Sequence, residues 1–304
     1  MPKLSVCIPA YNQIEHLKKT IDSVLCQTFS DYEIIITDDS SSNIIKDFIA
    51  ENYPGDKIKY FKNEPQLGSP ENWNEAILKS SGEYIKILHH DDWLNFNDSL
   101  AKYVALLDEN PEVDFAFSAT QAINPGIKNW VHEITIEQLN SIKSNPLILY
   151  CNNLIGAPST GIFRKKSNLI FDRNLKWLVD IEYYIRQLSQ NKNIAYSSEM
   201  LVVTYLAEGR VTDECVDNKE VEVFEYLYVL NSIFKRKNGY DSVALKSCLI
   251  KAIDICDKYK INNVQQIADC GYTDRLDNRI KIYLTLKSIS STLGKVYLKL
   301  LRNK

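Results

Sequence analysis

Several features that would assign the chain to a special class of protein are scarce or missing. Ten glycines and nine prolines among 304 residues are too few for a collagen-like or proline-rich low-complexity chain. No apolar run approaches the ~20 residues that a membrane-spanning helix needs. Residues 1–6 (MPKLSV) lack the apolar segment of a secretory signal. We therefore expect a cytoplasmic protein without a signal peptide.

Cysteine usage and net charge exclude further classes. The seven cysteines are odd in number and no two have C-x-x-C spacing, so a disulfide framework or zinc cluster is not expected and a reducing cytosol fits best. The net charge of −3 gives no reason to expect nucleic-acid binding. A hydrophobic content of 45% and a charged content of 25% are typical of a folded globular chain.

The first half of the chain alternates strand-like and helix-like segments. Short runs rich in β-formers occupy residues 4–8, 32–36, 58–61, 84–88 and 113–118. Helical spacing of apolar residues occupies residues 14–26, 44–52, 71–80 and 98–109. This alternation predicts βαβ units, an α/β fold and a mostly parallel sheet flanked by helices. Right-handed crossovers then bring the carboxyl ends of the strands to one edge, where ligands bind.

The second half has a different organisation. We predict helices over residues 136–143 and 178–189, and strands over 160–164 and 194–206. From about residue 221 only helical spacing remains, over residues 224–234, 243–259 and 280–301. We place a boundary within a polar stretch, which gives a catalytic domain over residues 1–212 and a helical region over 213–304.

Polar and acidic loops follow the predicted strands at residues 9–12, 38–39, 68–74 and 89–92. In a parallel sheet they converge on one edge. Acidic side chains gathered there would repel a bare phosphate. They favour a hard divalent cation, which then neutralises phosphate groups.

Five segments resemble the inverting nucleotide-sugar glycosyltransferases of family 2, which have the GT-A fold. They are residues 4–12 (LSVCIPAYN), 17–28 (LKKTIDSVLCQT), 32–41 (YEIIITDDSS), 82–88 (GEYIKIL) and 91–94 (DDWL). The resemblance spans residues 3–110 and continues more weakly to residue 212. It implies a GT-A-like fold with a helical C-terminal extension, and a nucleotide-diphosphate-sugar donor.

The resemblance gives the loops at residues 9–12 and 38–39 a nucleotide-binding role. Pro9 and Tyr11 would line the base pocket, where the tyrosine ring can stack on the base; a strand-ending turn is the alternative. Asp39 would accept hydrogen bonds from the base or ribose, and a helix cap is the alternative. Ser40 replaces the family's more usual glycine.

The segment His89-His90-Asp91-Asp92 invites a zinc interpretation. Adjacent residues on an extended chain point to opposite faces, so we expect that the four cannot readily share one metal. The resemblance makes the segment the acidic element that binds a divalent metal and diphosphate, with His89 in place of the family's first Asp. It assigns Asp92 to Mn²⁺ or Mg²⁺, and Asp91 to the donor sugar or the metal. Both histidines are expected to be structural or to support the ligands.

Two further residues take roles from the resemblance. Asn74 matches an asparagine beside the donor, and a helix cap with Trp73 in the core is the alternative for its segment. Asp180 matches the acid of the family's "ED" helix start and is the expected catalytic base, with Glu182 as the fallback. An acid that complements a helix dipole is the alternative for Asp180.

A departure from the family lies near residue 207. Ala207 occupies the position of a histidine that many relatives use to hold metal or phosphate. Arg210 can instead reach the leaving group, while a solvated surface arginine is the alternative.

These expectations describe a metal-dependent glycosyltransferase. It would transfer a sugar from a nucleotide-diphosphate donor, by family precedent a UDP-sugar, to the hydroxyl of a glycan or lipid-linked acceptor in bacterial surface polysaccharide assembly. Asp180 would remove the acceptor proton during one inverting displacement. The alternatives are a nucleotidyltransferase, disfavoured because no Gly- and Arg/Lys-rich phosphate loop is present, and a non-catalytic sugar-nucleotide-binding relative.

The C-terminal residues suggest a second type of partner. After Asp277 the chain has seven cations and no acidic residue, with apolar residues interspersed. Basic amphipathic segments can lie on anionic membrane surfaces, and a docked helix with solvated lysines accounts equally well for the pattern. One hypothesis is therefore peripheral contact of residues 279–304 with the inner membrane face.

Overall fold

The computed structural model describes residues 1–166, 170–206, 211–236 and 240–303. The chain divides into two compact units. The first comprises Met1–Lys143, Leu154–Asn174 and Arg186–Glu208; the second comprises Ser144–Asn153, Leu175–Ile185 and Gly209–Lys304. The second unit thus takes two short segments from the middle of the chain. The boundary predicted after residue 212 stays a prediction.

The first unit is built on one sheet, in which the described residues form nine strands. They are β1 Leu4–Ala10, β2 Tyr32–Asp38, β3 Ile58–Lys62, β4 Tyr84–Ile87, β5 Trp93–Leu94, β6 Phe115–Ile123, β7 Trp130–His132, β8 Gly161–Arg164 and β9 Ile194–Tyr205. The order across the sheet is β3-β2-β1-β4-β8-β6-β9-β5, and β7 pairs with β6.

The strands β1 to β4 form a parallel group, as the alternation of strands and helices predicts. β1 pairs in parallel with β2 and β4, and β2 pairs in parallel with β3. The rest of the sheet is mixed, because β8 runs antiparallel to both β4 and β6. Every residue of β1 and β2 is buried, which is typical of parallel strands covered on both faces.

Helices occupy the connections and the C-terminal region. They are α1 Ile14–Leu25, α2 Ile44–Asn52, α3 Glu71–Lys79, α4 Ser99–Asp108, α5 Ile136–Ser144, α6 Ile148–Cys151, α7 Val179–Gln190, α8 Val211–Cys215, α9 Lys219–Lys235, α10 Ser242–Lys258, α11 Val264–Asp269, α12 Asn278–Ile289 and α13 Ser291–Asn303. A short 3₁₀ helix covers Pro158–Thr160.

Alternation along the strands explains how the helices pack in the first unit. Val6 and Ile34 face a core that also contains Leu17 and Ile21 of α1. Cys7 points to the opposite face, where its thiol contacts the carbonyl of Ala76 in α3 (3.5 Å). Successive strand residues point to opposite faces, so the two helix layers cover both sides of the sheet.

In the second unit, four helices begin with a side chain that accepts a hydrogen bond from a backbone N–H of the first turn. These N-caps belong to α9, α10, α11 and α12 and are Asn218, Asp241, Asn263 and Asp277. Each cap satisfies a donor that a helix start leaves unpaired. Local sequence therefore sets where these four helices begin.

The predicted helix over residues 280–301 is two helices in the structure. Ser290 is extended and separates α12 from α13. Past this break, a Cβ at Gly294 would lie 2.9 Å from the Cβ of Lys287, closer than real Cβ contacts. Glycine therefore allows α13 to pack closely against α12, which spacing alone does not reveal.

No helix among the described residues is both long enough and apolar enough to span a membrane.

Candidate active site

The loops that follow β1, β2 and β4 lie at the same edge of the sheet, as predicted. Ala10 is aligned with Asp38 at the ends of β1 and β2, and its carbonyl accepts a hydrogen bond from the N–H of Asp39 (3.0 Å). The imidazole Nδ1 of His90 lies 3.3 Å from the carbonyl oxygen of Pro9. The edge therefore holds the first, second and fourth of the predicted loops.

The acidic loop after β4 brings three potential metal ligands together. One ligand atom each from His89, Asp91 and Asp92 lie within 4.8 Å of one another. The premise of an extended chain is wrong, because residues 89–92 form a turn in which the N–H of Asp92 donates to the carbonyl of His89 (3.0 Å); the group that converges contains three of the four residues and does not include His90. The turn points these side chains to a common side.

Burial governs the protonation of this loop. It lowers the pKa of His89 to about 4, so the imidazole is neutral at physiological pH. Burial and repulsion by Asp91 raise the pKa of Asp92 to about 8, even though Asp92 Oδ1 accepts a hydrogen bond from the N–H of Tyr205 (3.0 Å). Among the described residues, Nε2 of His89 is a buried atom without a hydrogen-bond partner.

Lys86 of β4 is a buried cation beside this loop that the sequence analysis did not single out. Its ammonium donates to the carbonyls of Ser159 and Gly161 and lies 4.2 Å from the ring centroid of Tyr103. Burial lowers the pKa of Lys86 to about 7, against the opposing attraction of Asp92. The sequence feature that could have identified Lys86 is its position inside the otherwise apolar strand β4.

Helix α1 holds the acidic loop through a polar stripe. The hydroxyl of Thr20 lies 2.8 Å from the carbonyl of His90 and 2.7 Å from that of Asp92. One turn further on, Ser23 accepts from the N–H of Leu94 (3.1 Å). Gln27 then donates to the carbonyl of Phe96 (2.7 Å) and accepts from the N–H of Leu100 (2.9 Å). Thr20 of α1 thus holds the acidic loop, while Ser23 of α1 and Gln27, just past the end of α1, hold the segment that follows the loop.

Asp39 is buried and holds a neighbouring loop. Its Oδ1 accepts from the N–H of Leu67 (2.7 Å) and the amide of Asn63 (3.0 Å), and its Oδ2 accepts from the N–H of Gly68 (2.8 Å). The positive φ of Gly68 (75°) suits glycine, because L side chains rarely adopt it. Asp39 is therefore an organiser of the loop over residues 63–68, a role that sequence analysis missed.

Asn74 is buried and clamps a backbone segment. Its amide donates to the carbonyl of Phe171 (3.0 Å) and accepts from the N–H of Phe171 (2.8 Å). The Phe171 ring meets Trp73 edge-on at 5.2 Å between centroids, and Trp73 contacts His89 at 4.7 Å. Asn74 thus supports the aromatic packing beside the acidic loop.

Tyr11 lies at the carboxyl end of β1 and is half exposed (51%). The following residue, Asn12, has a positive φ of 57°, and its N–H donates to the hydroxyl of Ser40 (2.8 Å). Pro9, by contrast, is buried within β1. An exposed ring next to a fixed turn is available for stacking.

Asp180 belongs to the second unit and lies in the first turn of α7. Its Oδ2 accepts from the amide of Asn153 (2.8 Å) and its Oδ1 from the N–H of Ile181 (2.8 Å). Burial raises the pKa of Asp180 to about 6 against these donors. Glu182, the fallback base, is instead paired with Arg236 at 2.6 Å. The predicted positions of Ala207 and Arg210 lie outside the described residues.

The family of the chain follows from its sequence. The family model described as glycosyl transferase family 2 matches residues 5–169, which is more than half of the chain. The protein belongs to glycosyl transferase family 2, as the five segments predict.

Several curated proteins are similar to the chain. An uncharacterized protein of Mycobacterium tuberculosis is 28% identical over 228 residues, covering 69% of this chain and 70% of the relative. An uncharacterized glycosyltransferase of Methanocaldococcus jannaschii is 28% identical over 244 residues, covering 79% and 82%. The GalNAc(5)-diNAcBac-PP-undecaprenol beta-1,3-glucosyltransferase of Campylobacter jejuni is 41% identical over only 96 residues, 31% of each chain.

Two solved structures show the same fold. Residues 1–349 of TarS from S. aureus, in complex with UDP-GlcNAc, match with a TM-score of 0.68 at 16% identity and cover 99% of this chain and 92% of that chain. The mannosyltransferase PcManGT from Pyrobaculum calidifontis, in complex with GDP-Man and Mn²⁺, matches with a TM-score of 0.56 at 14% identity, covering 100% and 86%. The predicted GT-A-like α/β fold with a helical C-terminal region is confirmed.

Proposed function

We propose that this member of glycosyl transferase family 2 is a metal-dependent, inverting glycosyltransferase with a nucleotide-diphosphate-sugar donor. The observation that carries the proposal is the convergence of His89, Asp91 and Asp92 at the sheet edge. Support also comes from the ligands of the two similar structures, UDP-GlcNAc and GDP-Man with Mn²⁺.

The three converging side chains fit a divalent cation. Carboxylates suit Mg²⁺ and Mn²⁺, and a neutral imidazole suits Mn²⁺ among these two. The low pKa of His89 keeps its lone pair available, and its Nε2 is a buried atom without a protein partner among the described residues. We assign Asp92 and Asp91 to the metal site and add His89 to it. A bound cation would supply neutralisation of the charge on the leaving diphosphate.

The donor nucleotide is assigned to the loops after β1 and β2. Pro9 and the exposed ring of Tyr11 would form one wall for the base. Asp39 already accepts three hydrogen bonds, but a carboxylate has about four acceptor sites, so it retains capacity for a base N–H or ribose hydroxyl. Asn74 would lie beside the bound donor, and its amide also holds the backbone of Phe171. A UDP-sugar is the favoured donor.

Asp180 is the proposed catalytic base. A general base must be ionised when it takes the acceptor proton, and a pKa near the working pH favours efficient transfer. The raised pKa of Asp180, about 6, meets both conditions at neutral pH. A single displacement by the acceptor hydroxyl would invert the anomeric carbon. The acceptor is proposed to be a glycan or lipid-linked hydroxyl in surface polysaccharide assembly.

The test is a panel of UDP- and GDP-sugars incubated with Mn²⁺, with or without glycan and lipid-linked acceptors. We expect release of the nucleoside diphosphate and an inverted glycosidic product by NMR, loss of both after EDTA, and recovery with excess Mn²⁺. Pyrophosphate release would indicate a nucleotidyltransferase, binding without turnover a non-catalytic relative, and full activity in EDTA would contradict the metal proposal.

We further propose that the α12–α13 region contacts an anionic membrane surface. The structure separates its cations into two groups. Three form ion pairs: Arg279 with Asp277, Lys287 with Asp257 and Arg302 with Asp254, at 3.0, 2.6 and 2.7 Å. Three others, Lys281, Lys295 and Lys299, are exposed and have no ion-pair partner in the described part of the chain. Lys304 lies outside it.

The unpaired lysines neighbour an exposed apolar stripe. Leu293, Val296 and Leu300 of α13 are 43%, 51% and 53% exposed, and their spacing of three and four residues places them on one helix face. The two unpaired lysines of α13 are next to this stripe in the sequence: Lys295 precedes Val296, and Lys299 precedes Leu300. An apolar stripe flanked by cations matches an anionic lipid surface.

A further inference from the structure

Glu225 of α9 is a buried carboxylate (2% exposed) bonded to the chain that leads into α7. Its Oε1 accepts from the N–H of Lys176 (2.7 Å), and its Oε2 from the N–H of Leu178 (2.7 Å). The N–H of Trp177 donates to both oxygens, at 3.2 and 2.9 Å. One side chain thus satisfies three consecutive backbone donors. Because both oxygens only accept, the geometry corresponds to the ionised carboxylate.

These three donors lie directly before the helix that carries Asp180. The carbonyl of Leu178 accepts from the N–H of Glu182 (2.9 Å), so Leu178 opens the first turn of α7. Asp180 lies two residues further on, and its carboxylate is then fixed by the amide of Asn153 and the N–H of Ile181. The backbone that Glu225 holds therefore sets the position of Asp180. A negative charge at a helix start also complements the helix dipole.

Glu225 also affects Asp180 electrostatically. Burial is the largest cause of the raised pKa of Asp180, and the negative charge of Glu225 raises it further. Burial raises the pKa of Glu225 itself, against the three N–H donors and the charge of Lys176. The remaining acid of this turn, Glu182, is paired with Arg236. Loss of the Glu225 charge therefore lowers the pKa of Asp180.

We propose that Glu225 is a positioning residue for sugar transfer, which holds the start of α7 so that the carboxylate of Asp180 keeps its orientation. The inference rests on the proposed role of Asp180 as the base. The proposal gives the C-terminal helices a part in the reaction, because α9 supplies the Glu225 carboxylate that holds the start of α7.

The test compares Glu225→Gln with Glu222→Gln. Glutamine keeps the size of the side chain but has one acceptor oxygen and no charge. Glu222 is the matched control: it lies in the same helix, is buried (5%), and its carboxylate contacts Lys258 (2.8 Å) and the N–H of Asp217 (2.9 Å) instead of the α7 start. Steady-state kinetics, nucleotide affinity, thermal unfolding and the pH profile of kcat are measured for both.

We expect Glu225→Gln to lower kcat by about 10-fold or more, as misplaced catalytic groups do, with nucleotide affinity within about 2-fold of wild type. The acid limb of its kcat profile should move to lower pH. Glu222→Gln should reduce the unfolding temperature without changing kcat or the pH at which the acid limb of the kcat profile falls. Equal effects of the two substitutions on kcat, with an unmoved limb, would overturn the proposal.

Glu225→Asp keeps the test decisive if Glu225→Gln does not fold. Aspartate retains the charge but is one methylene shorter, so we expect reduced kcat with an acid limb close to that of wild type and faster hydrogen exchange at the amides of residues 176–178. Wild-type kcat and exchange in this variant would overturn the inference. Asp180→Asn distinguishes failure of the proposed base from failure of the proposed positioning residue. If Asp180→Asn is active, the assignment of Asp180 as the base fails. If Asp180→Asn is inactive and Glu225→Gln is fully active, only the role of Glu225 is rejected.

Discussion

Two buried carboxyl groups, those of Glu33 in β2 and Asp92 in the loop after β4, lie towards opposite ends of the parallel strands β1–β4, and their pKa values are shifted in opposite directions. Glu33, at the amino end, accepts from Lys59 (2.6 Å), the hydroxyl of Ser5 (2.6 Å) and the N–H of Ser81 (2.6 Å). Although burial opposes them, these partners lower the pKa of Glu33 to about 2. Asp92, at the carboxyl end, is equally buried, and its pKa is raised to about 8.

The difference separates a buried carboxylate whose charge the protein itself compensates from one whose charged form is disfavoured. At the amino end the protein supplies the compensating cation and donors itself. At the carboxyl end burial and a second carboxylate, Asp91, outweigh the available partners. A buried ionisable group whose charged form is disfavoured marks a candidate functional site. Four variants test this comparison.

The largest effect is expected at Asp180, whose pKa is raised like that of Asp92. Asp180→Asn keeps the side-chain size but cannot take a proton, so kcat should fall by about 10²–10⁴-fold with nucleotide affinity unchanged. In the wild type, kcat should rise as pH increases through about 6, the pKa of Asp180, because the ionised form of Asp180 is the proposed base. Near-normal turnover of the variant would contradict this role.

Asp92→Asn should weaken donor binding that depends on Mn²⁺ by about 10-fold or more, the lower range for disturbed metal sites. Calorimetric titration of UDP with and without Mn²⁺ measures the effect, and Asp98→Asn is the control, because Asp98 is a partly exposed acid shortly after the loop that pairs with Lys102 (3.1 Å). Because the folded protein disfavours the charged form of Asp92, replacing its carboxyl group should leave the unfolding temperature unchanged or raise it. Unchanged Mn²⁺-dependent affinity would reject the metal assignment.

Glu33→Gln should behave in the opposite way. It should lower the free energy of unfolding by about 2 kcal/mol, less than for a fully buried ion pair because Lys59 is half exposed, while donor affinity stays normal. Since the folded pKa of Glu33 is depressed, its stabilisation is complete above pH 4.5 and is lost as pH falls toward 2. Urea unfolding at pH 7 and pH 3 should show the variant deficit shrinking at the lower pH.

The same distinction between paired and unpaired charges gives the smallest predicted effect, at the C-terminus. Lys295→Gln with Lys299→Gln should reduce co-sedimentation with anionic vesicles by several-fold, because each cation contributes at most ~1 kcal/mol near the surface and salt screening reduces that contribution. Added salt should weaken wild-type binding. Lys287→Gln is the control, since that lysine is already paired with Asp257. Equal binding of all three proteins would exclude this surface.

Much of the first unit could be predicted from sequence because its signals are local. The predicted helix over residues 44–52 matches α2 Ile44–Asn52, and each of the first four strands is found within two residues of its predicted end. Apolar periodicity sets such elements. The two-residue strand β5 and the three-residue strand β7 escaped, since runs this short have no readable period.

The candidate site was predicted less completely because its contacts join distant residues. Glu225 meets a segment 47 to 49 positions earlier, and Asn74 clamps Phe171, 97 positions away. The convergence of His89 with both aspartates depends on a turn that alternation along an extended chain does not predict. Sequence motifs therefore identify several of the candidate residues, whereas their contact partners, which are distant in sequence, are seen only in the folded structure.

The contact between Glu225 and the chain before α7 has a consequence for synthesis on the ribosome. Chains are made from the N-terminus, and domains generally fold as units during synthesis. The strands β1–β4 can pair early because their partners are close in sequence, whereas the N–H groups of residues 176–178 lack their acceptor until α9 has emerged. The start of α7 is therefore completed late, and a nascent chain that ends before α9 carries Asp180 without the acceptor for the N–H groups of residues 176–178.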